Sequence, residues 1–350
     1  MKTILIFNAG STSLKYQIFD LQTLKVLDQN EFNIEEKGKE RKVLQEALFD
    51  KILAKAKSFG ELQIIGHRVV HGGPYFTTPT IITKDNIKEL EKNSILAPLH
   101  NPHNILFIKL ALKKEKNIKN LAVFDTGFFS TIPMENKILP IPYKYFKQGI
   151  YKYGFHGISH EYVANAVAEK LNKKLSSLNL IICHLGGGSS VSAIKKGKAY
   201  DCSFSFSPTS GLPMTTRTGD MDPGVIFHIM KNDKLSLNQA IDLFNKESGI
   251  KGISGKNSSK EIEDGYLAKN DLDTTCFKLI NNAVKKYIGA YYATLNKVDA
   301  IVFTGGIGYH SKIVRNDILK DLPFKNKIKS VIIKTNEELL IASYCKKFLK

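Results

Sequence analysis

The sequence predicts an α/β protein built from two domains, and three observations favour this class. The chain has 350 residues, which is longer than a single hydrophobic core usually organises. Short apolar runs alternate with longer amphipathic stretches over most of this length. A glycine-containing turn follows an apolar run at three places, near residues 10, 187 and 306. Because the same junction recurs, we predict two related α/β halves.

The predicted strands are apolar runs that end at a glycine or a polar residue, as buried strands do. They cover residues 4–7, 62–65, 121–124, 180–183 and 300–304. The clearest predicted helix leads directly into the last of these strands. Its apolar residues recur at a spacing of 3.6, which places them on one face: Phe277, Ile280, Val284, Tyr287, Ile288, Tyr291 and Leu295.

Composition narrows the class of protein. Hydrophobic residues make up 43% and charged residues 24% of the chain, which is ordinary for a globular protein. No run approaches the roughly 20 apolar residues of a transmembrane helix, and the first residues lack the features of a signal peptide. The four cysteines are scattered without CxxC spacing, which favours reduced thiols. We therefore expect a cytoplasmic location and no membrane partner.

The net charge of +18 raises the hypothesis of nucleic-acid binding. Lysine accounts for most of this charge, since the chain has only four arginines, Arg41, Arg68, Arg217 and Arg315. A nucleic-acid reader would more typically concentrate arginine for bidentate contacts. We therefore expect no nucleic-acid partner, and we interpret the arginines as positions that need a planar guanidinium.

Each glycine turn could bring backbone N–H groups close to a phosphate, because no Cβ stands in the way. One such turn is weak evidence, but three in one chain favour phosphate binding. None fits the P-loop pattern GxxxxGK[ST] or the Rossmann pattern GxGxxG. The first turn is followed by Ser11, Ser13 and Lys15 on one face of a predicted strand. This arrangement resembles the actin, hexokinase and Hsp70 superfamily.

Longer motifs resemble one family specifically, the acetate kinases. They occur in the family's order as NAGSTSLK (8–15), GHRVVHGG (66–73), LAPLHNP (96–102), VFDT (123–126), YGFHGISH (153–160), GLPMTTRTGDMDP (211–223) and TNEEL (335–339). The resemblance implies two actin-like (RNase H-like) α/β domains with an active-site cleft between them. Residues 1–124, completed by a C-terminal helix at 337–350, would form the N-terminal domain. Residues 125–336 would form a nucleotide-binding and dimerisation domain.

The implied reaction is reversible, Mg²⁺-dependent phosphoryl transfer from ATP to acetate, giving ADP and acetyl phosphate by direct in-line transfer. The resemblance makes Arg68, Arg217, His156 and Asp125 catalytic, with the arginines and His156 contacting the transferring group. It places Asn8 and Glu337 at the metal, with Mn²⁺ as an alternative ion. A zinc site at His156 and His160 is rejected, because HExxH is absent and Gly157 is expected to weaken a helix there. The homodimer rests on resemblance alone.

Two further sets of site residues follow from the resemblance. Nucleotide binding is implied for Lys15, Ser11, Ser13, His184, Leu185, Gly186, Gly187, Gly188, Ser259, Lys260, Glu261, Gly306, Ile307, Gly308 and His310. A small pocket for the methyl group of acetate is implied for Val70, Leu99, Phe155 and Pro208, beside Arg68. Such a pocket discriminates one methylene by about 1–3 kcal/mol, so we expect propionate to be a poorer substrate.

The chain departs from the family pattern mainly near the nucleotide base. Gly187 replaces an asparagine, and Tyr309 and His310 follow the last glycine turn where the family usually has Glu-Asn. The usual Asp and Arg of the adenine-side segment align with Ser259 and Glu261, or the Arg with Lys260 after a one-residue gap. The chain is also shortened before Leu62 and between Arg315 and Val331. We therefore predict retained chemistry with altered nucleotide selectivity.

Three alternatives stay open from sequence. The chain could prefer propionate or butyrate, it could bind nucleotides without catalysis, or it could pass the phosphoryl group through His156 or His184. The joint presence of Arg68, Arg217 and Asp125 favours an enzyme over a binding protein.

Overall fold

The structure is a computed structural model that describes residues 1–10, 13–36, 38–98 and 100–349. The chain divides into two compact units. The first comprises Met1–Ser130, His156–Tyr162 and Asn336–Lys350, and the second comprises Thr131–Phe155 and Val163–Thr335. Each unit contains its own β-sheet.

The first sheet contains β1 (Lys2–Ala9), β2 (Ser13–Asp20), β3 (Val26–Asn33), β4 (Glu61–Val69), β5 (Thr80–Ile82) and β6 (Lys119–Phe124). Their spatial order is β3-β2-β1-β4-β6-β5. The strands β1, β4 and β6 run parallel, while β1, β2 and β3 form an antiparallel meander. The carboxyl ends of β1, β4 and β6 therefore meet at one edge of the sheet.

The second sheet contains β7 (Leu180–His184), β8 (Ser190–Lys195), β9 (Lys198–Cys202), β10 (Ala300–Thr304) and β11 (Lys329–Ile332), in the order β11-β10-β7-β8-β9. Here β7, β10 and β11 run parallel, and β7, β8 and β9 form an antiparallel meander. This repeats the pattern of the first sheet. All five strands predicted from apolar runs lie within observed strands, so those predictions are confirmed.

The helices are α1 (Gly38–Ser58), α2 (Ile87–Lys92), α3 (Asn101–Lys114), α4 (Met134–Lys137), α5 (Tyr143–Lys147), α6 (Gly157–Lys170), α7 (Pro223–Asn232), α8 (Leu237–Asp242), α9 (Gly249–Ser254), α10 (Ser259–Leu267), α11 (Asp271–Leu295), α12 (Gly305–His310), α13 (Lys312–Lys320) and α14 (Glu337–Phe348). A π-helical segment, Leu243–Glu247, lies between α8 and α9. Short 3₁₀ turns cover Asn93–Ile95, Phe128–Thr131, Leu175–Ser177 and Lys325–Lys327.

Both faces of the first sheet are covered by helices. On one face Phe7 packs against Phe49 of α1 and Phe107 of α3, with ring centroids 5.3 Å and 5.0 Å apart. On the other face α14 approaches so closely that a Cβ at Gly66 would lie 2.7 Å from the Ile341 side chain. This contact fixes the end of the chain, and hence the start of α14, against β4.

The helix predicted from 3.6-residue spacing is confirmed as α11. Its apolar face is buried in the core of the second unit, where Val284 and Ile288 are fully enclosed. None of the helices in the described ranges is long and apolar enough to cross a membrane. The four cysteines are free thiols, as predicted, and all are buried.

The first unit extends further than the domain predicted from residues 1–124 and 337–350. It also contains residues 125–130 and 156–162. The physical reason is that the Gly157 N–H donates a hydrogen bond to the Asp125 carbonyl at 2.8 Å. The His160 ring also packs edge-on against Phe129, with centroids 5.5 Å apart. These contacts keep the chain after β6 with the first sheet.

Candidate functional site

Three predicted site residues lie at the carboxyl ends of neighbouring parallel strands. Asn8 is the penultimate residue of β1, Arg68 is the penultimate residue of β4, and Asp125 directly follows β6. The Arg68 Nε and Nη2 donate to the two Asp125 carboxylate oxygens at 3.0 Å and 2.7 Å. The Arg68 Nη1 donates to the Asn8 Oδ1 at 3.2 Å. Open α/β sheets bind ligands at this edge.

The start of α14 adds two carboxylates to this group. The Glu337 carboxylate lies 3.2 Å from the Arg68 Nη1. The Glu338 carboxylate accepts hydrogen bonds from the Asn8 Nδ2 at 2.9 Å and from the Lys15 Nζ at 3.1 Å. Acidic side chains are favourable in the first turn of a helix, where the dipole is positive. Glu338, which sequence analysis did not assign, therefore connects two predicted site residues.

The electrostatics of this group favour an added cation. When all five groups are ionised, Asp125, Glu337 and Glu338 carry three negative charges against the two positive charges of Arg68 and Lys15, which leaves one formal negative charge. Burial, reinforced by the neighbouring Asp125 and Glu338 carboxylates, raises the pKa of Glu337 to about 7. Although burial alone lowers the pKa of Arg68, the attraction of Asp125 and then Glu337 raises it above its ordinary value.

An ion with oxygen ligands fits this group. The Asn8 amide oxygen and the Glu337 carboxylate are the ligand types that Mg²⁺ prefers, and one or two carboxylates suffice when waters and phosphates complete the shell. Over the described ranges no cluster of three or more His, Cys, Asp or Glu residues is arranged to hold a metal alone. The chemistry of the residues therefore suits a metal that is shared with a phosphate ligand.

His156 is positioned by the same group through the backbone. Its φ angle is +61°, in the left-handed region that few non-glycine residues adopt. The next residue, Gly157, leaves no space for a side chain, because a Cβ there would lie 2.2 Å from the Asp125 carbonyl oxygen. The conformation of His156 is therefore linked to the segment that carries Asp125.

The expectation that Gly157 weakens a helix at this point is wrong, because α6 begins at Gly157. The glycine is required by the close Asp125 carbonyl and not by a break in the helix. His156 precedes the helix with a left-handed φ, and its carbonyl accepts a hydrogen bond from the His160 N–H at 3.0 Å.

In the second unit, Arg217 lies in a loop held by backbone hydrogen bonds. Its Nη1 donates to the Pro208 carbonyl at 2.9 Å. Among the residues that the structure describes, no carboxylate forms an ion pair with its guanidinium. Burial lowers the pKa of Arg217. A desolvated cation without a counter-ion favours the binding of an anion.

The base of this loop is closed by Asp220. The Asp220 Oδ1 accepts from the Gly211 N–H at 2.7 Å, and the Asp220 N–H donates to the Gly211 carbonyl at 2.9 Å. The Tyr287 hydroxyl of α11 donates a short hydrogen bond to the other Asp220 oxygen. Gly249, with φ +62°, lies so close that a Cβ would be 2.1 Å from the Met214 carbonyl oxygen. The Arg217 loop is therefore tightly packed.

The second and third glycine turns contact each other. Residues 185–189 connect the antiparallel strands β7 and β8, so this turn is part of a hairpin. The Leu185 carbonyl accepts from the Ile307 and Gly308 N–H groups at 2.9 Å and 3.1 Å. A Cβ at Gly187 would meet no atom within 4 Å. The predicted residues His184, Gly186 and Gly188 belong to the same hairpin.

The adenine-side segment forms the first turn of α10. The Ser258 hydroxyl accepts from the Glu261 N–H at 3.1 Å, and the Glu261 carboxylate accepts from the Ser258 N–H at 3.0 Å. This is a capping box, and it engages the Glu261 side chain. The Lys260 ammonium donates to Asp264 at 2.7 Å. Contacts of Ser259, Lys260 and Glu261 with a nucleotide remain predictions.

The remaining predicted residues are distributed over both units. Val70 directly follows β4, and its N–H donates to the Asn104 side chain at 3.1 Å. Phe155 is buried and packs edge-on against Phe204, with centroids 5.8 Å apart. His310 ends α12, and its ring is perpendicular to that of Tyr309. Ser11 and Leu99 lie outside the described residues, whereas Ser13 begins β2.

Comparison with known proteins identifies the family. The family model described as "Acetokinase family" matches residues 3–326. An acetate kinase of Thermotoga maritima is 37% identical over 397 aligned positions, covering 99% of this chain and 98% of that protein. The chain belongs to the acetokinase family. Because those aligned positions outnumber the 350 residues here, the relative contains segments that this acetokinase lacks.

Solved acetokinase structures have the same fold. The crystal structure of Porphyromonas gingivalis acetate kinase is 32% identical, with a TM-score of 0.89 and coverage of 100% of both chains. A propionate kinase from Francisella tularensis subsp. tularensis SCHU S4 is also 32% identical, with a TM-score of 0.88 and coverage of 98% of both chains. The predicted family and fold class are confirmed.

Proposed function

We propose that this chain catalyses the reversible phosphorylation of acetate by ATP, giving acetyl phosphate and ADP. The observation that carries the proposal is the pair of arginines in a member of the acetokinase family. Arg68 is held rigidly by Asp125, whereas Arg217 has no carboxylate partner among the described residues. The test is the formation of acetyl phosphate from acetate and MgATP by the purified protein, measured as the hydroxamate, together with the reverse reaction.

The chemistry needs positioning more than proton transfer. An oxygen of acetate attacks the γ-phosphorus, the new P–O bond forms, and the bond to the bridging oxygen of ADP breaks. A carboxylic acid of pKa near 4–5 is already ionised at neutral pH, so no base is required. This suits Asp125, since both of its carboxylate oxygens accept hydrogen bonds from Arg68. We assign Asp125 the role of holding the Arg68 guanidinium in place.

We propose that Arg68 and Arg217 act on one transferring phosphoryl group. Charge in the transition state is spread over three equatorial oxygens. Planar guanidinium groups donate paired hydrogen bonds to such oxygens, and fixed donors stabilise developing charge without reorganisation. Arg217 also suits the acetate carboxylate, because within the described ranges its side chain donates only to the Pro208 carbonyl and the Met214 sulfur. A bound anion would stabilise the Arg217 charge, which burial has removed from water.

We also assign proposed roles to the metal ion and to His156. Asn8 and Glu337 would hold Mg²⁺, with Mn²⁺ as the alternative, and the ion would neutralise phosphate charge when bound. We propose that His156 donates a hydrogen bond to a phosphoryl oxygen. Its left-handed backbone, fixed by the Gly157 contact with Asp125, supports a role that needs one orientation.

Direct transfer is distinguished from a phosphohistidine by isotope exchange. A phosphoenzyme at His156 or His184 would exchange label between ADP and ATP in the absence of acetate. We expect no such exchange above the rate of a control without enzyme. The carboxylate of acetate is itself a competent nucleophile, so an enzyme nucleophile is unnecessary.

The acyl acceptor is a second question for the same site. Val70, Leu99, Phe155 and Pro208 keep the pattern expected of an acetate pocket. The similarity to a propionate kinase supports propionate as the alternative acceptor. The ratio of kcat/KM for acetate, propionate and butyrate decides between them. We expect acetate to be preferred over propionate by about 10- to 100-fold, as one methylene allows.

The phosphoryl donor is the property in which this chain departs most from its family. Glu261 is occupied by the capping box, and Lys260 is paired with Asp264. Gly187 offers no side chain at the tip of its hairpin. These observations support altered base recognition with retained chemistry. Initial rates with ATP, GTP, ITP and pyrophosphate test it, and an exclusive preference for ATP would contradict it. Absence of turnover with all four would favour the nucleotide-binding alternative.

We further propose a homodimer in the cytoplasm, where ATP is available. None of the α7 residues is buried in the chain, although the helix carries Val225 and Phe227. Phe227 and Leu237 of α8 are both 68% exposed. Large apolar side chains exposed on neighbouring helices support an interaction surface here. Light scattering should give twice the chain mass, and Phe227→Lys should give the monomer mass.

A further inference from the structure

α12 is a short helix that depends on its neighbours. It has six residues and follows β10 without a loop. Helices of this length are unstable alone, because nucleation costs more than a few hydrogen bonds return. Gly306, Ile307 and Gly308, the predicted adenosine-binding residues, all lie within it. Whatever fixes α12 therefore fixes those residues.

The first turn of α12 is attached to the glycine hairpin after β7. The Ile307 and Gly308 N–H groups both donate to the Leu185 carbonyl. Gly305 has φ +75°, and a Cβ there would lie 2.5 Å from the same carbonyl oxygen. These contacts hold only the amino end of the helix.

The carboxyl end of α12 accepts two hydrogen bonds from one side chain. The Arg315 Nη1 on α13 donates to the Gly308 carbonyl at 2.9 Å and to the Tyr309 carbonyl at 2.7 Å. Within the described part of the chain, Arg315 forms no ion pair with a carboxylate. Its charge is therefore directed at the negative end of the helix dipole.

A second contact joins the same region to α10. The Ser311 hydroxyl, between α12 and α13, donates a short hydrogen bond to the Glu263 carboxylate of α10. It also accepts from the Val314 N–H at 3.1 Å, which caps α13. The turn that carries Lys260 and Glu261 is thereby connected to α12. The hydrogen bonds of Arg315 and Ser311 therefore connect α10, α12 and α13, which include the predicted base-binding segments.

We propose that Arg315 is a positioning residue for the nucleotide, acting through the backbone of Gly306, Ile307 and Gly308. The inference rests on the proposed kinase function and extends it to a residue that no motif assigned. Because Arg315 acts on the nucleotide segment, its loss should weaken nucleotide binding and leave the acetate side unchanged. A general loss of stability would impair the binding of both substrates, so an effect on the nucleotide alone indicates a positioning role for Arg315.

The experiment compares Arg315→Met, Arg315→Lys and Lys312→Met. Lys312 is an exposed cation on the same helix and serves as the matched control. We expect Arg315→Met to raise the KM for ATP and the calorimetric Kd for ADP at least tenfold. The kcat and the KM for acetate should stay within twofold. Arg315→Lys should recover part of the loss, because an ammonium can donate to one of the two carbonyls. Lys312→Met should match the wild type.

The outcomes separate the inference from the function. A wild-type enzyme that turns over, with Arg315→Met equally impaired for ATP and acetate, would overturn the positioning role and leave the kinase intact. A wild-type protein without turnover would refute the kinase, while ADP binding would still report on Arg315. If Arg315→Met does not fold by circular dichroism, Arg315→Lys decides. An unchanged KM for ATP in that variant would overturn the proposal.

Discussion

Replacing Asp125 with asparagine tests whether the orientation of Arg68 limits the reaction. The amide oxygen can accept from the Arg68 Nε, but the amide NH₂ would face the Nη2 that now donates at 2.7 Å. One charge-assisted hydrogen bond is lost, which is worth about 1.5–3 kcal/mol. If that energy serves the transition state, kcat/KM falls by about 10- to 150-fold.

The same change should affect stability less than rupture of a fully buried pair, which costs about 3–5 kcal/mol. The Arg68 side chain is 21% exposed and keeps Glu337 at 3.2 Å. Because solvent and Glu337 still stabilise the Arg68 charge, we expect the free energy of unfolding to fall by only about 1–2 kcal/mol.

Steady-state kinetics in both directions and urea denaturation of the same samples measure these two quantities. Asp28→Asn is the matched control, because Asp28 accepts a hydrogen bond from Tyr16 in the same sheet and is not bonded to Arg68. A folded Asp125→Asn variant with wild-type kcat/KM would refute the role given to Asp125. So would an equal loss in the Asp28→Asn variant.

Three other predictions follow from single contacts. Burial, partly offset by the hydrogen bond to Asn120, lowers the pKa of His67 to about 4. The unfolded chain therefore binds one more proton than the folded chain between about pH 4 and 6.5. The free energy of unfolding should be highest above pH 6.5 and lower by about 2 kcal/mol at pH 5. Urea denaturation at pH 5 and pH 8 should show a smaller difference for His67→Gln than for the wild type. Gly157→Ala should lower kcat by at least tenfold with a folded circular dichroism spectrum, because its Cβ meets the Asp125 carbonyl; wild-type kcat would contradict this. Gly187→Asn should leave thermal stability unchanged, because its Cβ meets no atom; a melting temperature lowered by several degrees would count against that geometry.

Much of the fold could be predicted because buried strands and helix faces leave periodic patterns. The apolar runs at residues 4–7 and 300–304 coincide with β1 and β10. The motif residues Asn8, Arg68 and Asp125 could also be expected to meet, since they lie at or directly after the carboxyl ends of parallel strands. Glu338 could not be assigned in the same way. Sequence alone does not tell which of two adjacent glutamates in a first turn faces Asn8 and Lys15.

The capping box of α10 and the contacts of Gly157 and Arg315 differ in how far sequence could predict them. The Ser258–Glu261 capping box carries the readable signature S-x-x-E, yet the adenine-side motif drew attention to Glu261 as a ligand contact. Its structural role was therefore available from sequence. The contacts of Gly157 and Arg315 were not available, because each depends on a carbonyl far away in the chain or in another helix. Backbone carbonyls leave no residue-specific signal.

The most direct test of the central claim compares wild type with Arg217→Ala and Arg217→Lys in acetyl phosphate formation from acetate and MgATP. Arg217 is the buried guanidinium that lacks a carboxylate partner in the described chain. We predict turnover by the wild type, a fall of at least 100-fold in kcat/KM for alanine, and incomplete recovery with lysine, which lacks the planar fork. Turnover by Arg217→Ala at the wild-type rate would contradict the account, as would a wild-type protein that forms no acetyl phosphate.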